Sequence, residues 1–352
     1  MLPSIQALRA LAVFMVVLVH LPALAVMAGG PSDMFAFGHA GVDLFFVISG
    51  LIMTRTTSQR KATPWGFFAH RLSRVVPLYW LITMAVFGVA FFAPWLLQAT
   101  RADPVQLIKS LLFIPFQKAN GQIAPIVFVG WTLNYEMIFY AIFGLTLFFN
   151  NPRIAAAITC AVLIFATTLP FDGFATNLAV GFYTKPIVLE FSLGIILGLL
   201  LPYLPGKTYM RWPAAVSGLL ALGLIVCSPW MLPGHDRVIQ FGIPAFVIVL
   251  SALILDTTKI EVPASLVLLG DASYAIYLTH FFVTQAVIRF AAGLPWHNVV
   301  WSIIEFIFAI FGIVAAGLLT HYWIERPLSG RARRFLSHGE PQPRAESVLS
   351  EA

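Results

Sequence analysis

Six side chains carry the chemistry this sequence offers: Arg9, His20, Asp43, Arg71, Arg74 and Glu136, each within or at the end of an apolar run. Ionisable groups in such runs are costly and by default functional. An imidazole serves as general base for a hydroxyl when a carboxylate on one ring nitrogen fixes the tautomer and raises the basicity of the other. His20 is the candidate base, and Asp43 and Glu136 are the candidate carboxylates. Arg71 and Arg74 stand at i, i+3 on one helix face, and two guanidiniums there suit phosphates such as those of a nucleotide-bearing donor, for example CoA. Arg9 and His20 are eleven residues apart, which is three helical turns plus roughly 20°, so they share a face and are separated by about 16 Å of depth.

Each of these residues also has a plainer reading. His20 fits a core histidine bonded to a backbone carbonyl, Asp43 and Glu136 fit interhelical ion pairs, and the arginines fit anchoring to anionic lipid. Glu190 and Glu305 lie in apolar runs without a motif nearby. Ser273, Tyr274, Tyr277 and His280 form a polar stripe at helical spacing, the usual mark of a packing seam. Cys160 and Cys227 lack metal or disulfide spacing and read as packing residues, and no metal constellation or phosphate-binding glycine loop is present.

The elements that position these groups are membrane helices. Of the 352 residues, 59% are hydrophobic and only 10% charged, with a mean hydropathy of +0.88. Several apolar runs reach about 20 residues, enough to cross a hydrocarbon core of roughly 30 Å. Backbone groups in lipid must be satisfied within their own segment, so the fold class is an all-α integral membrane protein. Ten spans are predicted, near 5–27, 36–54, 75–97, 127–149, 153–170, 185–204, 212–231, 237–256, 268–291 and 298–323. Ala23-Leu24-Ala25 resembles a signal-peptidase site, but Arg9 and His20 within the run argue for a retained helix. Residues 1–330 read as one transmembrane domain, and 331–352 as a polar, disordered tail. No internal repeat of the kind transporters use is visible.

Orientation follows from the basic residues. With the N-terminus inside, the cytoplasmic segments hold fourteen (Arg55, Arg60, Lys61, Arg71, Arg74, Arg153, Lys207, Arg211, Lys259, Arg326, Arg331, Arg333, Arg334 and Arg344), against five outside (Arg101, Lys109, Lys118, Lys185 and Arg237). Both termini are therefore expected in the cytoplasm. The net charge of +6 is scattered between spans, which speaks for membrane lipid and against nucleic acid. Counted from the span ends, His20, Asp43 and Glu136 fall within about one turn of a common depth in the outer half, where they are expected to meet.

Taken in order, several segments resemble the membrane-bound acyltransferase-3 family, which includes bacterial exopolysaccharide and O-antigen acetyltransferases. They are Arg9 with His20, Gly38-His39-Ala40-Gly41-Val42-Asp43-Leu44-Phe45-Phe46-Val47-Ile48-Ser49-Gly50, and Arg71-Leu72-Ser73-Arg74 with Pro77. Further along come Trp131-Thr132-Leu133-Asn134-Tyr135-Glu136, Ser273-Tyr274-Ala275-Ile276-Tyr277-Leu278-Thr279-His280, and Glu325-Arg326-Pro327. The resemblance covers nearly the whole chain. It implies transfer of an acetyl group from cytoplasmic acetyl-CoA to a carbohydrate hydroxyl, on a surface polysaccharide or its lipid-linked precursor, at the bacterial inner membrane. It also implies essential roles for Arg9 and His20 and matches Arg71 and Arg74 to the family's basic cytoplasmic pair. The Trp-Thr-Leu-x-x-Glu segment looks most like exopolysaccharide enzymes. Many O-antigen members carry a fused periplasmic hydrolase-like domain; the chain ends about thirty residues after its last span, so any periplasmic or polysaccharide-assembly partner is expected to be a separate protein. The rival readings are the same fold transferring a succinyl or longer acyl group, and a proton-coupled transporter or flippase with His20, Asp43 and Glu136 as its relay.

Overall fold

A computed structural model describes residues 2–27, 29–59, 63–97, 100–168, 177–204, 208–257, 261–294 and 298–337. Among these, fifteen α-helices follow one another with no strand beyond a single bridge between Gln117 and Ile123. They are α1 (Pro3–Leu18), α2 (Pro22–Met27), α3 (Ala40–Gln59), α4 (Pro64–Phe92), α5 (Pro104–Leu111), α6 (Trp131–Thr146), α7 (Pro152–Thr168), α8 (Leu178–Tyr183), α9 (Leu189–Leu200), α10 (Arg211–Met231), α11 (Ile243–Thr257), α12 (Ala264–Asp271), α13 (Ser273–Ala292), α14 (Val299–Thr320) and α15 (Arg326–Ser337). Eight helical segments, counting contiguous turns, are long and apolar enough to cross a membrane; α1 and α7 are shorter apolar helices. All ten expected spans thus coincide with apolar helices. Residues 331–337, expected in the tail, are helical in α15; 338–352 lie outside the described residues.

The apolar surface makes sense only in lipid. Leu219, Leu220, Phe308 and Phe311 are all more than 60% exposed, and in water such side chains would form aggregation-prone patches. Local sequence sets the helix boundaries. Pro3 and Pro64 occupy first-turn positions where no amide donor is needed, and Thr63 caps α4 by accepting from the Gly66 amide at 3.0 Å. The first span is broken: α1 ends at Leu18, His20 sits in the turn, and Pro22 starts α2. Pro77 lies inside α4, and Tyr274 Oη donates to the nearby Val75 carbonyl at 2.7 Å, supplying a partner beside the turn that proline weakens.

Helix α1 is held by α3, α11, α12 and α13. Close approach depends on glycine. A Cβ on Gly41 would lie 2.3 Å from the Ala12 carbonyl oxygen, and one on Gly50 would lie 2.2 Å from that of Phe191, so α3 touches α1 on one side and α9 on the other at backbone distance. With α4 and α6 packed against each other, this arrangement leaves a space bounded by α1, α3, α4, α6 and α13.

Candidate active site

That space encloses about 750 Å³, its open mouth included, and Arg9, Arg71, Arg74, Ser49, Glu136, Tyr140, Ser273 and Tyr277 are among its lining residues. Helix α3 lines it with Val42, Phe45, Phe46, Ile48, Ser49, Ile52 and Met53, one broad face of the helix. Arg71 and Arg74, one turn apart on α4, both reach it. A second cavity of about 510 Å³ adjoins, sharing Arg9 and Arg74 and bounded also by Gln6, Asp271, His321, Glu325 and Arg326. There Gln6 donates to Asp271, and His321 pairs with Glu325 at 2.7 Å across a π-helical turn.

Arg9 and Arg71 are held by neutral partners. Arg9 is 6% exposed; it donates to Ser273 Oγ at 2.8 Å and to Gln6 Oε1 at 3.2 Å. Arg71 donates to Thr56 Oγ1 at 3.1 Å and lies over the Phe67 ring. Among the described residues the salt bridges are Arg237–Asp43 and His321–Glu325, so none of the three cavity arginines is ion-paired to a carboxylate. Among the described residues Glu136 is the one carboxylate lining the first cavity, and its Oε1 accepts from Ser49 Oγ at 3.0 Å and from Tyr140 Oη. Three positive groups line this cavity with one negative group, while Arg9 and Arg74 also border Asp271 and Glu325 in the adjoining cavity. A buried charge without a counter-ion is expensive, and an excess of positive groups attracts anions.

His20 lies elsewhere. Its ring packs against His280 at a centroid distance of 5.1 Å and edge-on against Phe128 at 5.9 Å and Phe281 at 5.7 Å. Between this pair and the arginine cavity stands Tyr277, whose Oη donates to the Val129 carbonyl at 2.7 Å and lies 2.7 Å from Thr132 Oγ1.

The expected meeting of His20, Asp43 and Glu136 does not occur. Asp43 is fully buried and bonded to Arg237 through Nε at 3.0 Å and the terminal nitrogen at 2.6 Å, with Glu190 beside the pair. The reason is azimuth: Asp43 follows the cavity-lining Val42 by one residue and so points about 100° away from that face. Glu136 is displaced in depth. His20 is level with Phe128, and Glu136 is eight residues further along, roughly 12 Å at 1.5 Å per residue. Counting from hydropathy edges missed this because a 3-10 turn, Phe128–Gly130, precedes α6. Arg9, Arg71 and Arg74 are brought together. The stripe expected to be a packing seam instead faces the site: Ser273 holds Arg9, Tyr277 lines the cavity beside Thr132, and His280 meets His20. Its i, i+4, i+7 spacing was the available signal.

The cavity is lined by arginines inside a bundle of apolar helices, and sequence comparison identifies the family of the chain. The acyltransferase domain family profile matches residues 2–322, so this is a multi-pass membrane enzyme that transfers an acyl group. The chain belongs to that family, the acyltransferase-3 family expected from its motifs. It is similar to the exopolysaccharide production protein ExoZ of Rhizobium meliloti, at 35% identity across 85% of this chain and 93% of that protein. It is also similar to the acyltransferase MdmB of Streptomyces mycarofaciens, at 27% identity over 97% of this chain and 95% of that one. The peptidoglycan O-acetyltransferase OatA of Listeria monocytogenes is 24% identical over 87% of this chain and 54% of its own length. No solved structure matches.

Proposed function

We propose that the protein moves an acetyl group from cytoplasmic acetyl-CoA to a hydroxyl of a surface or exopolysaccharide sugar, or of its lipid-linked precursor, in the bacterial inner membrane. The observation that carries this reading is the set of three guanidiniums, Arg9, Arg71 and Arg74, around one cavity with no ion pair among the described residues. The phosphates of CoA supply the missing negative charge, and Arg71 with Arg74 present paired donors to them. The excess of basic residues supports a cytoplasmic position for this end of the bundle. Names among the relatives favour a carbohydrate acceptor, since ExoZ is named for exopolysaccharide and OatA for O-acetylation of peptidoglycan.

In the reaction the acceptor O–H gives its proton to a ring nitrogen of His20 as the oxygen attacks the thioester carbonyl. The new C–O bond forms, the C–S bond breaks, and the proton returns to the departing CoA sulfur. Arg9, between the phosphates and His20, lines the path of the acyl arm and stabilises negative charge that develops along it. An acetyl group carried on His20 itself gives the same products in two steps and would show as ping-pong kinetics.

The test is made with purified protein in lipid nanodiscs, radiolabelled acetyl-CoA and surface polysaccharide from a strain lacking the protein. Free CoA should appear and label should enter the sugar only when acceptor is present. His20→Ala should abolish both while the protein remains abundant. Label that enters only from succinyl-CoA or longer donors would overturn the acetyl assignment, and substantial activity in His20→Ala would overturn the base.

A further inference from the structure

His280 is fully buried, and its Nε2 has no hydrogen-bond partner among the described residues. Buried polar atoms without a partner are uncommon enough to need an explanation. The opposite nitrogen is committed: Nδ1 lies 2.7 Å from the Tyr277 carbonyl oxygen. A carbonyl can only accept, so Nδ1 carries the proton and Nε2 presents a lone pair. The group beside that ring is His20, at a centroid distance of 5.1 Å and an interplanar angle of 42°.

We propose that His280 is the positioning residue of His20, standing where a carboxylate was expected. Its Nε2 accepts the N–H of His20 after a small ring rotation or through one water. The second nitrogen of His20 then holds its lone pair toward the acceptor hydroxyl. Catalytic hydrogen bonds are often long before substrate arrives and tighten in the complex. Two observations favour this over simple packing. Both carboxylates expected to orient His20 are engaged elsewhere, Asp43 with Arg237 and Glu136 with Ser49 and Tyr140. Phe128 and Phe281 stand nearly perpendicular to the His20 ring, each at 86°, and so limit its rotation while leaving the His280 side open to contact. During transfer the acceptor proton moves to the free nitrogen of His20, and the proton already shared with His280 stays between the two rings. The proton then leaves His20 for the CoA sulfur, so nothing is consumed at His280.

This inference rests on the acetyl-transfer reading with His20 as base. The experiment compares His280→Asn and His280→Gln with the unaltered enzyme in the same nanodisc assay. Asparagine keeps a donor near the position of Nδ1 and removes the distal acceptor; glutamine places an amide oxygen near Nε2. The expected result is a fall in kcat of roughly 10- to 100-fold for His280→Asn, the range for losing a group that orients a ligand or base from behind. The KM for acetyl-CoA should stay within about twofold because the arginines are untouched. His280→Gln should recover most of kcat. Equal kcat in the two variants, both high or both low, overturns the proposal. If His280→Asn fails to accumulate, His280→Met is compared with His280→Gln by the same rule. Failure of the unaltered enzyme to release CoA with acceptor sinks the acetyl-transfer reading and this inference with it, whereas a working enzyme with matched variants sinks only the role of His280.

Discussion

Replacing Arg9 by methionine should separate ligand binding from stability in an unusual direction. Arg9 is buried and bonded to Ser273 and Gln6, with no carboxylate partner. Hydrogen bonds from a charged donor contribute about 1.5–3 kcal/mol each, so the two together offer roughly 3–6 kcal/mol. Taking an unpaired guanidinium out of water costs several kcal/mol, which is of the same size and opposite sign. The ligand-free variant should therefore match the unaltered protein within about 1 kcal/mol or exceed it. Donor binding should suffer, because truncating one partner of a buried charge pair costs about 2–5 kcal/mol, or roughly 30-fold and upward at 1.4 kcal/mol per decade. Thermal unfolding in detergent, with and without acetyl-CoA, reads both quantities. At a donor concentration of about 100 times Kd, the unaltered protein gains about 2.7 kcal/mol, and Arg9→Met at that concentration should gain less than half of it. A variant that loses several kcal/mol without donor, yet keeps the full donor-induced shift, would show that Arg9 is structural.

Four further outcomes follow from the same geometry. Arg71→Ala with Arg74→Ala should raise the KM for acetyl-CoA by roughly 10-fold or more, measured by CoA release, and an unchanged KM would return the pair to membrane orientation. Asp43→Asn should lower unfolding stability toward the lower end of about 3–5 kcal/mol, since the Arg237 side chain is 31% exposed and regains some water; the loss should appear in thermal melts, and a lost kcat with normal stability would restore Asp43 to the chemistry. Tyr277→Phe removes the hydroxyl bonded at Val129 and Thr132, costs about 1 kcal/mol, and should raise acceptor-independent hydrolysis of acetyl-CoA; unchanged hydrolysis would mean that the hydroxyl seals nothing. Lys118, on the 112–127 segment outside the spans, is pushed by burial down to about 8, so between about pH 8 and 10.5 the unfolded chain binds more protons than the folded one and stability rises with pH there. Lys118→Met should be the more stable protein below about pH 8 and lose that advantage above it; a gap that widens with pH would contradict the burial argument.

The spans could be read from the chain because a run of about 20 apolar residues has one physical use. Arg71 and Arg74 were readable together for a similar reason: both lie on one uninterrupted helix, α4, where i, i+3 spacing fixes the shared face. Asp43 and Glu136 were misplaced because depth was counted from hydropathy edges, as if every span began at one plane. The break after Leu18 and the 3-10 turn before Trp131 shift those origins, and depth alone says nothing about azimuth. The partners of Arg9 were beyond reach. Ser273 is 264 residues away, and a single sequence holds no distance between helices, so its hydroxyl reads as part of a packing seam until the fold brings it to the guanidinium. His280 was hidden by the same stripe, where only contact with His20 distinguishes it from a satisfied core histidine.

The separation of the arginine cavity from the histidine pair imposes an order on events. Ser273 at Arg9 and His280 at His20 are seven residues apart on α13, about 10 Å of helix, with Tyr277 between them. On the proposed reaction, a thioester delivered from the arginine side meets this hydrogen-bonded aromatic layer before it meets His20, and a layer that keeps water from an activated acyl group prevents its hydrolysis. Tyr277 takes part on both sides. Its hydroxyl closes the layer against Val129 and Thr132, while its backbone carbonyl sets the tautomer of His280. A shift of this one turn of α13 would open the path and disturb the orientation of His20 together. Tyr277→Phe alters the first function and leaves the second, because the carbonyl remains. A variant that hydrolyses acetyl-CoA without acceptor, yet still transfers it when acceptor is present, is therefore the signature of two functions carried by one residue.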